Sequence, residues 1–227
     1  MRSRSAPVGA PLRSVIRLPA ASNTSTSRTP ALLILDGSFG EGSVALLHLD
    51  GEAAGRFESA PELRPHQPLV ARAAVLLPDS AARSELVAVL VGVGPGSYTG
   101  LRAAASLAAG VAAALNIPVI QVPSDRALLL ARDASGQTDP VVLPLGMREV
   151  LVVDAAGSRI TERSGAPTGA DLERIAPHLP AALVSSAADA IDLLRAGEWH
   201  TESGREASEI AIRYPAPPRG AEGGVAQ

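Results

Sequence analysis

The stretch Val89–Ile120, VLVGVGPGSYTGLRAAASLAAGVAAALNIPVI, predicts a buried strand, a glycine-rich turn, a long helix of small residues and a second strand. The uncharged run Leu86–Val93 needs cover on both faces, which is typical of a central strand in an α/β sheet. The strand ends at Pro95 and its neighbouring glycines, because proline cannot donate to a strand ladder and glycine tolerates close backbone approaches. This stretch therefore predicts the α/β fold class.

The helix is predicted to run from about Thr99 to Leu115, with the hydroxyl of Ser97 or Thr99 as its cap and Asn116 at its end. Its apolar residues form two stripes with helical spacing. The first comprises Leu101, Ala104, Ala108, Val111 and Leu115, and the second comprises Ala103, Leu107, Gly110 and Ala114. A helix that is apolar on two sides needs two partners, namely its own sheet and another helix of this chain or of a second protein. Because Arg102 bounds an apolar run shorter than the ~20 residues of a membrane span, no membrane contact is expected.

The glycine turn does not match the common nucleotide or nucleophile motifs. The dinucleotide fingerprint needs glycine where Ser97 or Thr99 stands, and the nucleophile elbow fails because Gly96 directly precedes Ser97. All 20 basic residues are arginine, which excludes a Walker A lysine and a Schiff-base lysine. The turn is therefore predicted to be structural, with Arg102 either bracing it through carbonyl groups or facing solvent. Its members are Gly94, Gly96, Ser97, Thr99, Gly100 and Arg102.

Composition narrows the possible functions further. The 227 residues are 46% hydrophobic but only 2% aromatic, so the core is expected to be aliphatic. The absence of cysteine excludes disulfides and thiolate chemistry and fits a cytoplasmic location. A net charge of -3 argues against a protein that binds nucleic acid alone.

The N-terminal half of the chain is expected to hold one complete domain. Residues 1–30, rich in arginine but without acidic residues, are predicted to be a disordered extension outside the fold, a transit peptide being the alternative. Residues 31–133 form the first predicted domain. It begins with a three-stranded antiparallel meander whose last hairpin turns at Asp50–Gly51. The helix Pro68–Leu77, the stretch described above and a helix capped by Ser124-Asp125 and ending at about Arg132 complete it.

The C-terminal half is predicted to repeat this order in shortened form, over residues 134–214. Three strands and a short helix are followed by a strand at Ala182–Ser185, a helix and a last strand at Glu209–Tyr214. Residues 215–227 are expected to be a disordered tail.

Four segments, in the same order, resemble the TsaB (YeaZ) family. They are Leu32–Asp36, the string GPGSYTGLR at Gly94–Arg102, the string LNIP at Leu115–Pro118, and Ser124. The resemblance spans roughly Leu32 to Asp133 and implies an actin-like (ASKHA) fold of two RNase-H-like halves. The first half is expected to be complete and the second shortened or divergent, because Pro144–Leu151 stands where the family has Asp-Ala-Arg-x-Gly-Glu-Val-Tyr.

The same resemblance implies a function without catalysis in this chain. It implies a scaffold that binds the catalytic subunit TsaD as a heterodimer, with the ATPase TsaE joining, and that forms a homodimer when alone. The complex transfers a threonylcarbamoyl group to N6 of adenosine 37 in tRNAs reading ANN codons, and tRNA is expected to be met only through the complex. The predicted partner interface consists of His66, Leu69, Arg72, Ala73, Leu76, Leu101, Ala104, Ala108 and Val111, with Arg72 as a charge at the rim.

One enzymatic alternative centres on Asp36-Gly37-Ser38, which resembles the first phosphate loop of actin-like ATPases. On that interpretation Asp36 and Ser38 are the cofactor-binding residues of a Mg-ATP-dependent ATPase or small-molecule kinase. A working ATPase needs a second such loop, and Pro144–Gly146 offers no carboxylate or hydroxyl. Asp36 is therefore expected to be a turn residue, and no cofactor is expected. No metal site is expected either, because Val70 stands four places after His66 where the catalytic relative has a second histidine.

Overall fold

The computed structural model describes residues 29–49, 56–59, 67–196 and 210–215. The predicted Asp50–Gly51 hairpin turn, His66, and most of the two predicted disordered termini lie outside the described residues.

The larger sheet contains the meander and the parallel strands that the sequence predicts. Its strands are β1 (Ala31–Asp36), β2 (Ser43–His48), β3 (Arg56–Ser59), β4 (Leu86–Gly92) and β5 (Val119–Val122). The order is β3-β2-β1-β4-β5, with β1, β2 and β3 antiparallel and β1, β4 and β5 parallel. All of β1 and nearly all of β4 are buried, because both faces of the sheet are covered.

The smaller sheet belongs to the second half of the chain. Its strands are β6 (Val141–Pro144), β7 (Glu149–Asp154) and β8 (Gly157–Glu162), paired antiparallel in that order. The prediction of three strands here is confirmed. No parallel strand extends this sheet within the described residues, so the fold class of a complete first half and a reduced second half is confirmed as well.

Seven α-helices complete the described part of the chain. They are α1 (Leu69–Leu76), α2 (Ser80–Ser84), α3 (Tyr98–Leu115), α4 (Ser124–Ala134), α5 (Leu172–Ile175), α6 (Leu179–Ser186) and α7 (Ala188–Arg195). The strand predicted at Ala182–Ser185 is wrong, since these residues lie in α6. A short apolar run has no period that separates a strand from a helix, and Pro180 in the first turn favours the helix.

The strand predicted at Glu209–Tyr214 is also wrong for the residues described, 210–214, which have no strand structure. This segment runs beside the glycine turn instead. The Arg213 N–H donates to the Val93 carbonyl at 2.7 Å, and the Ala211 N–H donates to the Gln121 side chain at 2.9 Å.

The two sides of the five-stranded sheet carry different layers. Helices α1 and α3 pack against Leu33, Val89 and their neighbours on one face. On the other face Leu32 and Leu90 meet α4, α6 and α7, and the three-stranded sheet joins the same core. The core on this second face therefore contains residues from both predicted segments, 31–133 and 134–214.

Helix α3 is long and apolar enough, by length and composition alone, to cross a membrane. Core helices of soluble proteins meet the same criteria. Here Leu101, Ala104 and Ala108 are completely buried against the sheet, which accounts for the apolar composition of one side of the helix.

Candidate functional site

The carboxylate of Asp36, the last residue of β1, joins three parts of the fold. It is fully buried. Its Oδ1 accepts hydrogen bonds from the backbone N–H of Ser38, at 2.7 Å, and from the Ser38 hydroxyl. Its Oδ2 accepts from the hydroxyl of Ser124 at 2.7 Å, and the Ser124 oxygen in turn accepts from the Gly94 N–H at 3.0 Å. The prediction that Ser124 caps α4 is wrong, because its hydroxyl is committed to this network and it is the first helical residue.

This arrangement does not suit a hydrated cation. Burial raises the pKa of Asp36, and the hydrogen bonds from Ser38 and Ser124 lower it in part. Both carboxylate oxygens already accept hydrogen bonds and have no solvent access, whereas magnesium keeps several waters and needs free oxygen ligands. No group of three or more acidic, histidine or cysteine side chains able to hold a metal occurs in the described part of the chain. The donor set at Asp36 therefore does not fit the Mg-ATP alternative.

Glycines pack the turn tightly onto the first loop. A methyl group on Gly92 would overlap the Asp36 carboxylate, and one on Gly100 would overlap the backbone of Gly37. A methyl group on Gly96 would likewise overlap atoms of Ser38. These contacts leave no space between the two loops for a phosphate group.

The remaining turn residues have separate roles. The oxygen of Ser97, and not that of Thr99, caps α3 by accepting from the Gly100 N–H at 3.3 Å. Gly94 has a φ of 91°, which favours glycine. Arg102 does not brace the loop: its exposed guanidinium donates to the Tyr98 hydroxyl at 2.6 Å and lies 5.0 Å from the centroid of that ring.

Most residues predicted to form the partner interface are inaccessible, because they face the chain's own sheet. Exposure is 8% or less at Leu69, Ala73, Leu76, Leu101, Ala104 and Ala108. Val111 is half-buried at the edge of this layer. These six side chains pack mainly on the chain's own sheet, so an interface on α1 and α3 has to rely largely on their neighbours.

Arg72 is not the rim charge that the sequence predicts. Its side chain is buried beneath α1, where the guanidinium donates to the carbonyl groups of Glu41, at 3.2 Å, and Gly42, at 2.8 Å. It thereby ties α1 to the turn between β1 and β2. The sequence could not show whether Arg72 is buried or faces solvent. The groups that its guanidinium bonds are backbone carbonyls about 30 residues earlier in the chain.

The accessible residues of α1 and α3 form an apolar flank. Val70 is 60% exposed and Val75 is 41% exposed. Between the helices lies a groove of about 220 Å³, lined by Val70, Ala73, Ala74, Leu77, Arg83, Leu107, Val111, Ala114 and Leu115. We call this groove and its two helix edges the α1–α3 flank. Its α3 edge contains part of the second apolar stripe of the sequence.

A family model described as TsaD, tRNA N6-adenosine threonylcarbamoyltransferase, matches residues 69–179. One similar solved structure is described as an uncharacterized protein with similarity to peptidase YEAZ from Pseudomonas aeruginosa. It is 26% identical, has a TM-score of 0.54, and the match covers 82% of this chain and 100% of that one. YeaZ from Pseudomonas aeruginosa is 28% identical with a TM-score of 0.49, covering 82% and 99% of the two chains. No curated protein matches the chain.

Proposed function

We propose, from the premise that the chain belongs to the TsaB (YeaZ) family of actin-like proteins, that it is a non-catalytic scaffold of a tRNA-modifying complex. The family relates the chain to the tRNA threonylcarbamoyladenosine modification system. Within that system, we assign it the role of binding the catalytic subunit TsaD. The complex would assemble in the cytoplasm, with TsaE joining the pair.

The observation that carries this proposal is the α1–α3 flank. Val70, Leu107 and Ala114 border a groove that is apolar and open to solvent. Exposed apolar surface of this kind is a liability for an isolated protein and is typical of a contact between proteins. A partner helix laid along the groove would complete the layer that α1 and α3 begin, as in other helix-in-groove complexes.

The geometry at Asp36 supports a role without chemistry. An actin-like Mg-ATP site at Asp36 would need an accessible carboxylate for the metal, and the Asp36 oxygens are enclosed by Ser38 and Ser124. The motif Asp-Ala-Arg-x-Gly-Glu-Val-Tyr, which the family has in its second half, is replaced here by Pro144–Leu151. Pro144, the first residue of this stretch, is the last residue of β6. Catalysis is therefore assigned to the partner.

The test is a matched pair of substitutions on α3. Ala113 and Ala114 are both exposed and adjacent in sequence, but a helix turns about 100° per residue, so only Ala114 lies in the groove. We expect Ala114→Arg to abolish co-purification with TsaD of the same organism, and Ala113→Arg to retain it. Circular dichroism should show both variants folded.

Retention of TsaD by Ala114→Arg would contradict the proposal. Size-exclusion chromatography of the chain alone extends the test. If the flank also pairs two copies of this chain, Ala114→Arg should shift the isolated protein to monomer while Ala113→Arg leaves its elution unchanged.

A further inference from the structure

We propose that a second surface, at the N-terminal end of α3, contacts RNA directly. It consists of two tyrosines and four arginines: Tyr98, Tyr214, Arg102, Arg126, Arg159 and Arg213. We call it the arginine–tyrosine patch. The inference that this patch binds RNA is independent of the proposed TsaD interface. The choice of a tRNA as that RNA rests on the proposed function.

The two tyrosines are the only ones in the chain, and they stack on each other. Their ring centroids are 4.9 Å apart with planes inclined by 33°. Tyr98 remains 43% exposed, and the bond from Arg102 to its hydroxyl fixes the ring. A held, exposed aromatic pair is a platform on which a base can stack without sequence preference.

The four arginines are continuous with this platform. Arg213 lines a cavity of about 160 Å³ together with Tyr214 and Arg159. It also lines a neighbouring cavity of about 660 Å³ together with Arg126. The tyrosine stack and the arginines therefore form one surface around the segment that passes the glycine turn.

The patch keeps an excess of positive charge in a chain whose net charge is -3. Arg159 pairs with Asp154 and Arg213 with Asp125, yet each arginine side chain stays more than half exposed. Arg102 and Arg126 have no carboxylate partner within ion-pair distance in the described part of the chain. Asp189 lines the larger cavity and reduces this excess of positive charge, so the patch suits only a few phosphates.

RNA accounts for this combination better than an acidic protein segment. A carboxylate-rich partner would use the guanidinium groups but has no use for two stacked rings. An unpaired RNA loop offers both bases and phosphates, and arginine serves both because its planar group stacks as well as donates.

The experiment measures binding of a fluorescently labelled anticodon stem-loop RNA to the complete chain at low salt by anisotropy. We expect Tyr98→Ala and Arg102→Gln each to weaken binding about fivefold to tenfold. Tyr98→Phe should bind more tightly than Tyr98→Ala, because it keeps the ring and loses only the hydroxyl that Arg102 contacts. Arg102→Gln should also reduce the slope of log affinity against log salt by about 0.7, the value for one phosphate of a single strand.

The controls lie on β3, at the opposite edge of the sheet. Phe57→Ala removes an aromatic side chain that is 37% exposed, and Arg56→Gln removes one exposed positive charge. Both should leave RNA binding unchanged. The inference is overturned if Tyr98→Ala and Arg102→Gln behave like these controls.

Co-purification with TsaD, measured on the same variants, separates this inference from the proposed function. If the patch variants lose RNA while Ala114→Arg still binds TsaD, the RNA surface stands and the interface proposal fails. If Tyr98→Ala and Arg102→Gln lose TsaD but bind the RNA normally, the patch is a protein contact and the RNA inference is overturned.

Discussion

The two sides of the five-stranded sheet are covered to different depths. On one side α4, α6 and α7 pack on the sheet and the three-stranded sheet adds a further layer, so that Leu183 and Leu128 are completely buried. On the other side α1 and α3 are the outermost described layer, and Val70 and Leu107 remain accessible. Helices α1 and α3 each contain a single charged residue, whereas α4 contains four and α7 contains three.

This difference shows how the second half of the chain is used. In this protein α6 covers the first sheet and α7 packs on α6, so the second half completes a core that the first half begins. The α1–α3 side receives no such cover among the described residues. The apolar residues of α4, α6 and α7 are therefore enclosed by the fold, whereas part of the apolar surface of α1 and α3 stays open to solvent.

The largest effect is expected where α3 is anchored on the first loop. Gly100→Ala would force a methyl group into the backbone of Gly37 and should lower the free energy of unfolding by about 3 kcal/mol. Gly110→Ala, on the same helix, meets no atom within 4 Å and should stabilise the chain by up to about 1 kcal/mol. Urea unfolding measures both. Similar stabilities for the two variants would show that the contact between Gly100 and Gly37 is not close enough to exclude a methyl group.

The next effect compares the two helix layers directly. Leu183→Ala removes a completely buried side chain from α6 and should lower the free energy of unfolding by about 2–5 kcal/mol. Leu107→Ala, at the edge of the groove, should cost about 1 kcal/mol or less. Chemical denaturation of the isolated chain gives both values. Equal losses would mean that the α1–α3 flank is covered in solution.

The smallest effect concerns Asp36, which links the two sides through Ser124 and Gly94. Because burial raises its folded pKa above the ordinary 3.8, the folded state binds the proton more tightly than the unfolded state does. The contribution of Asp36 to stability is therefore complete below pH 3.8 and is lost as the pH rises through the raised pKa. An asparagine at this position cannot titrate, so the Asp36→Asn variant should lack this pH-dependent contribution to stability.

The measurement is the difference in free energy of unfolding between the parent and Asp36→Asn as a function of pH, since other carboxylates then cancel. We expect the parent to gain relative to the variant as the pH falls from neutral towards 3.8. A difference that is constant over this range, or of opposite sign, would contradict burial as the dominant influence on this carboxylate.

Features that depend on neighbours in the chain were predictable. The run Leu86–Val93, the glycine turn and the end of α3 at Leu115 follow from hydrophobic period and from local backbone chemistry. The left-handed Asn116 at the end of α3 is such a feature. The second apolar stripe of α3 was visible as well, although the residues predicted for the interface came mainly from the stripe that packs on the sheet.

Features that depend on distant partners were not predictable. The side chain of Arg72 bonds carbonyl groups on the turn before β2, and the hydroxyl of Ser124 bonds Asp36 from the other end of the first domain. A single polar residue carries no sign of such a partner. The stack of Tyr98 on Tyr214 is of the same kind, because the two rings come from distant positions in the chain.

The sequence by itself determined the order of the strands and longer helices in the first half, and the presence of two apolar stripes on α3, because period and capping act within a few residues. The tertiary structure decided which stripe is available to a partner, since burial depends on which helices the second half places against each face of the sheet. It also decided that Asp36 is a sealed structural carboxylate rather than a phosphate-side ligand, because its accessibility is set by glycines and serines that meet only in the folded chain.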